Sequence, residues 1–265
     1  MSAASERSRG PVVVALARTE GWKLITHPVF LVGVGIALVG CASFVQAIAT
    51  RSPVTWEEDG WTAAVGVMLL GVMTMVTTNL AALRDRRAHT QEQHAALPMR
   101  PPARTSSLLA ATLWPGGVAT VILGAIVGFA TMKEIGLNDA ETVHLVELVV
   151  ALLLFGSIGI ALAAWAPSPF VAPVLAWALL FVTPGETPAS WHSLLPWTTL
   201  GSTELAWWHL AYLAGLTGIV AMIALAKTSR PRTLVVPALV VVAVVAASAV
   251  VMLDGACPVV GPCLL

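Results

Sequence analysis

The sequence predicts an all-α integral membrane protein, and three observations carry that prediction. Of its 265 residues, 57% are hydrophobic and only 11% are charged, against roughly 25% charge in an ordinary soluble domain. The apolar residues gather into runs, several of which reach the roughly 20 residues that a helix needs to cross a bilayer. Lysine and arginine collect between alternate runs. Lipid offers no partner to a bare backbone N–H or C=O, so the runs are read as helices. Residues 1–265 form a single transmembrane domain.

Seven spans follow from the runs: His27 to Thr50, Trp61 to Leu83, Leu108 to Thr131, His144 to Ala166, Phe170 to Thr183, Trp208 to Ala226 and Leu234 to Leu253. The net charge is zero, but its distribution is informative. Arg7, Arg9, Arg18 and Lys23 precede the first span. Arg84, Arg86, Arg87, Arg100 and Arg104 separate the second from the third, and Lys227, Arg230 and Arg232 the sixth from the seventh. If the spans alternate, all of these share one side. The other side holds Arg51 and Lys133 among the acids Glu57, Glu58, Asp59, Glu134, Asp139, Glu141, Glu186, Glu204 and Asp254. Basic residues favour the cytoplasmic side. The expectation is a plasma (inner) membrane protein with a cytoplasmic N-terminus and an extracellular C-terminus. Trp56, Trp61, Trp191, Trp197, Trp207 and Trp208 fall near outer ends, and Trp22 and Trp165 near inner ones, as indole favours the headgroup level. Trp114 and Trp177 are expected deeper, packed between helices. The first span is too long for a signal peptide, so "AIA" at Ala47–Ala49 is read as uncleaved.

Residues 11–26 are a different object. Val14, Leu16, Trp22 and Leu24 are interrupted by Arg18, Glu20 and Lys23, which suits an amphipathic helix lying on the inner surface. It would enter the first span through the His27-Pro28 turn.

The charged segment, residues 84–107, interrupts the apolar pattern with "RDRRAHTQEQHAALPMRPPART". Five arginines in hydrocarbon would cost on the order of 12–17 kcal/mol, so the segment belongs in water or against another protein. Thr90 followed by Gln93 is a capping-box arrangement, "QEQHAAL" holds good helix formers, and Pro98 stops the helix. Thr105, Ser106 and Ser107 are expected as caps of the next span. The plainer alternative is a solvated loop obeying the positive-inside bias.

At these residues the chain resembles the permease subunit of ATP-binding-cassette (ABC) exporters of the second type. An N-terminal amphipathic helix precedes the first span, and the second span ends in a basic segment leading to "T-x-E-x-x-x-x-L-P". The later "SLLPWTTLGSTELAWWHLAYLAGL" is similar to the outer loop before that family's sixth span. The resemblance implies that Thr90, Gln91, Glu92, Gln93, Leu97 and Pro98 form a coupling helix seated on an ATPase, with Arg84, Arg86 and Arg87 at its entrance. It implies six family-like spans, and the C-terminal span over residues 234–253 departs from it as an addition; residues 184–207, too apolar for a plain loop, are expected as a region that partly re-enters the outer leaflet. His89 stands where the family often has glycine. No G-x-x-x-x-G-K-[ST] occurs in the sequence, so ATP and magnesium would sit on a partner P-loop ATPase. This chain would then carry no catalytic residue, cofactor or metal, and nucleic acid is not an expected partner. A second permease copy or a related chain would complete the pathway, and an amphipathic or hydrophobic drug, peptide or lipid would move outward. The competing reading is a polytopic accessory or scaffold protein with no transport activity of its own.

Other constellations carry two readings each. Met68, Met75, Thr78 and Asn79 in the second span are candidates for a substrate pathway, or simply for packing and interhelical hydrogen bonds. His144 and Glu147 share a helix face, as a proton- or substrate-sensing pair or as an interfacial pair near headgroups. Gly124 and Gly128 would allow close helix approach. Cys257 and Cys263 are spaced to permit a disulfide in an oxidising compartment, or remain thiols; Cys41 is a small core residue. Membrane-enzyme motifs fail: Glu57-Glu58 lacks the arginine four residues on that CAAX-type proteases carry, "FGSIG" is not the G-x-S-G of rhomboid proteases, and His89 and His94 do not make H-E-x-x-H. A secondary transporter needs coupling groups near the midplane, and no acid is expected to be buried away from the span ends.

Overall fold

A computed structural model describes residues 9–50, 60–87, 101–180, 202–229 and 234–260, and among these every regular element is an α-helix. In chain order they are α1 (Arg9–Ile25), α2 (Pro28–Thr50), α3 (Trp61–Arg87), α4 (Pro101–Ala111), α5 (Leu113–Met132), α6 (Asp139–Trp165), α7 (Val171–Leu180), α8 (Thr203–Ala226) and α9 (Val235–Val260). Six helices are long and apolar enough to cross a membrane: α2, α3, the α4–α5 unit, α6, α8 and α9. The chain is a multi-pass helical membrane protein.

Local chemistry sets the helix ends. α1 stops at a Thr26-His27 turn, and Pro28 opens α2, where its missing N–H is no loss. His27 Nδ1 accepts from Val29 N at 3.3 Å, and burial lowers the imidazole pKa, which favours the neutral accepting ring. α4 and α5 are split at Thr112, because Pro115 has no N–H to give Ala111 and its ring crowds that carbonyl. At the start of α6, Asn138 Oδ1 accepts from Glu141 N at 2.8 Å, and Glu141 Oε2 accepts from Asn138 N at 2.7 Å. This is a complete capping box.

The packing is a row with a cover. α3 lies between α2 and α6, α8 lies on α6, and α9 lies outside α8. The α4–α5 unit closes over α6, and α1 rests on α4 and α5. The apolar windows of α3 and α6 are each 67% buried, that of α9 only 11%, so α9 offers most of its surface to lipid. Gly159 on α6 lets α3 come close: a Cβ there would run into Met75 O and Thr78 Oγ1. α6 and α8 run in the same direction, with Glu147 beside His209 at one end and Trp165 Nε1 donating to Ile223 O at the other.

Several expectations need correcting. Of the expected fifth span, Phe170 to Thr183, the described residues hold α7, ten residues or about 15 Å, and residues 181–183 lie outside the description. The third span begins earlier than expected, at Pro101, so Thr105, Ser106 and Ser107 lie within α4 instead of capping it. Ser107 Oγ instead donates back to Arg104 O at 2.8 Å. Trp177 is exposed rather than packed between helices. Gly124 and Gly128 face open space, not a neighbouring helix.

Candidate functional site

One end of the bundle gathers the basic residues. Ala17, Glu20, Gly21 and Leu24 are the buried face of α1, a spacing of three, four and seven that makes one helical stripe. Of the apolar residues that mark the helix as amphipathic, Val14 and Trp22 are exposed and Leu24 is buried, and the acid Glu20 is inside. Glu20 turns inward because cations meet it there. Arg84 Nη2, at the end of α3, donates to both Glu20 oxygens at 2.9 and 3.1 Å, and Lys23 Nζ donates to Oε1 at 3.1 Å. Arg104 of α4 adds its charge nearby. Burial alone would raise the Glu20 pKa, but the hydrogen bonds and charges of Lys23 and Arg84 outweigh it and hold the carboxyl below its ordinary value. Gly21 fits here because the Trp114 ring lies against it, leaving no space for a Cβ.

The same end is tied across the bundle. Thr105 and Thr228 hydroxyls stand 3.4 Å apart, and Lys227 Nζ lies 4.9 Å from the Trp165 ring centre, a cation–π distance. Of the expected coupling residues, Thr90, Gln91, Glu92, Gln93, Leu97 and Pro98 lie outside the described residues. The backbone of Arg86 and Arg87 belongs to α3, but their side chains lie outside the description. Residues 184–201 of the expected re-entrant region and Cys263 also lie outside it, whereas the Cys257 backbone continues α9 rather than forming a tail.

In the middle of the bundle, α3 presents hydroxyls and an amide to α6. Thr78 Oγ1 lies 2.9 Å from Gly156 O and 3.1 Å from Met75 O. Asn79 Nδ2 donates to Gly159 O at 3.2 Å. Met75, Thr78 and Asn79 are buried between the helices and Met68 is partly so. In this arrangement Thr78 and Asn79 act as interhelical ties. Asn79 Oδ1 is buried without a hydrogen-bond partner among the described residues.

The opposite end holds a second cluster. Glu147 Oε2 is 3.0 Å from His144 Nδ1, one turn earlier on α6, and Oε1 is 3.1 Å from His209 Nδ1 on α8. The three residues are 6%, 1% and 0% exposed, in the order His144, Glu147, His209. The Tyr212 ring stacks on His209 with centroids 6.3 Å apart. Glu147 stands eight residues into α6, about 12 Å along it. The chain therefore buries an acid inside the bundle, and the pair at His144 and Glu147 is enclosed by helices. Sequence reading passed over His209, although a histidine within the apolar run "LAWWHLAYL" is itself a signal. Among the described residues, no three His, Cys, Asp or Glu side chains are arranged to hold a metal.

These features define a polytopic α-helical membrane protein with a basic clamp at one end and a buried histidine–glutamate cluster towards the other. The chain matches no family model, no curated protein and no solved structure.

Proposed function

We propose that the chain is the membrane-spanning permease subunit of an ATP-driven exporter, working with a separate P-loop ATPase and a second permease copy or related chain. One observation carries the reading. Glu20 binds Arg84, four residues before the segment 88–100, while Arg104 faces the pair from the first turn of α4, just after it. The N-terminal helix and both ends of that segment therefore meet at one carboxylate. A displacement applied to the segment by a nucleotide-driven partner would move α1, α3 and α4 together, as a rigid-body shift of packed helices. A plain positive-inside loop has no need of such a junction. The basic end faces the cytoplasm, where ATP is found, and the cargo is amphipathic or hydrophobic.

The test is a tagged pull-down from the native membrane in mild detergent, with mass spectrometry of the co-purifying chains. It is repeated with Thr90–Pro98 replaced by a Gly/Ser linker. The expected outcome is a P-loop ATPase that accompanies the native chain and is lost with the linker. If neither form brings down an ATPase, the chain is a polytopic accessory or scaffold protein instead.

A further inference from the structure

We infer that His144, Glu147 and His209 form one proton-binding site inside the membrane domain, and that its occupancy is tied to closure of α6 against α8. Glu147 Oε2 is hydrogen-bonded to His144 Nδ1 at 3.0 Å, and Oε1 lies at ion-pair distance, 3.1 Å, from His209 Nδ1, a contact too oblique for a hydrogen bond. One histidine comes from the same helix as the acid and the other from its neighbour, so the carboxylate joins two helices. Burial of all three side chains leaves the proton as the ligand small enough to reach them without helix movement.

The surroundings make the proton count decisive. α2 carries only the Cys41 thiol, α3 contributes no titratable side chain between Thr62 and Leu83, and α5, α7 and the Val235–Leu253 stretch of α9 contribute none. α4 brings Arg104, which faces Glu20 at the other end of the bundle. α8 brings Tyr212, stacked on His209, and Glu204 in its exposed first turn. α6 itself brings Asp139 and Glu141 in its first turn, with Glu141 occupied by the Asn138 cap. Among the described residues, the cluster is left to balance its own charge. With one proton shared among the three side chains it is neutral. With none it carries an unpaired negative charge, and with two an unpaired positive one. Either charge, enclosed by apolar helices, is strongly disfavoured. The single-proton state fits the closed α6–α8 interface, and gain of a second proton is relieved by opening it. Linkage runs both ways: any event that parts these helices changes the number of protons held.

The experiment uses the full chain in lipid nanodiscs. Imidazole ¹⁵N resonances of His144 and His209, assigned with His144→Gln and His209→Gln, are followed from about pH 8 to about pH 5, where histidine changes charge. Shared transitions are expected, as in any strongly coupled site, and Glu147→Gln should change both histidines' proton affinity by about tenfold or more. Spin labels at exposed positions Val146 and Trp207, with the three native cysteines replaced, should move apart on acidification in the native cluster and stay in place in Glu147→Gln. If Glu147→Gln does not fold, His209→Gln takes its role, and the His144 transition must then move. Independent histidine transitions, or transitions that ignore these substitutions, overturn the site. Shared transitions with unmoved labels overturn the tie to helix closure.

Discussion

Glu20 and Arg84, sixty-four residues apart in sequence, are joined by two hydrogen bonds of 2.9 and 3.1 Å from one guanidinium nitrogen. The bond fixes α1 to the last turns of α3. Arg84 remains 44% exposed in its side chain, so solvent screens the attraction, and replacing Glu20 with alanine should lower stability by about 1 kcal/mol. Thermal unfolding in detergent reads this. Reversing the pair, Glu20→Arg with Arg84→Glu, should recover less than the whole loss, because Lys23 and Arg104 remain to repel nothing but the new arginine.

The pH dependence of that junction has a definite sign. The Glu20 pKa is lower folded than its ordinary value of 4.5. Its contribution to stability is therefore complete above about pH 4.5 and is lost as pH falls through the depressed folded value. Acid unfolding of Glu20→Gln should lack this component, so the two melting curves should converge at low pH and diverge towards neutral pH.

The α3–α6 contact should depend more on Gly159 than on Asn79. Removing the amide with Asn79→Ala forfeits one interhelical hydrogen bond, on average about 0.6 kcal/mol in membrane helices. Gly159→Ala places a methyl against Met75 O and Thr78 Oγ1, an overpacking that costs about 1–3 kcal/mol. Equal losses in thermal unfolding would refute the close contact.

The cap of α6 gives a plain stability test. Asn138→Ala removes the acceptor for Glu141 N and should cost about 1 kcal/mol. Asn138→Asp, which keeps an acceptor and adds negative charge at a helix N-terminus, should stay near the native value.

Orientation is testable with single cysteines on a background lacking Cys41, Cys257 and Cys263. Asn138→Cys and Ser202→Cys, both exposed, should react with a membrane-impermeant thiol reagent on intact cells. Ser229→Cys, just beyond α8 at the basic end, should react only after permeabilisation. The reverse pattern would place the basic end outside and remove the ATPase from reach of Arg84.

The solvent and the broad course of the chain are legible from composition and the order of the runs alone. Long uncharged runs leave helices in lipid as the solution, and basic residues collected between alternate runs mark one end of the bundle, where Arg84 and Arg104 lie near each other and Lys227 stands over Trp165. The His27-Pro28 entry to α2 was legible too, because proline and a ring acceptor act within two residues. Tertiary structure decided what faces what. The apolar and charged residues of α1 mark it as amphipathic, but only a long-range partner, Arg84, turns Glu20 inward. The same holds for His209: its place in an apolar run marks it in the sequence, but its partner is settled only when α8 lies beside α6 and brings it 3.1 Å from Glu147. Periodicity reports how a helix partitions between apolar and polar surroundings, whereas the pairing of one buried charge with another depends on contacts between segments that are remote in the chain.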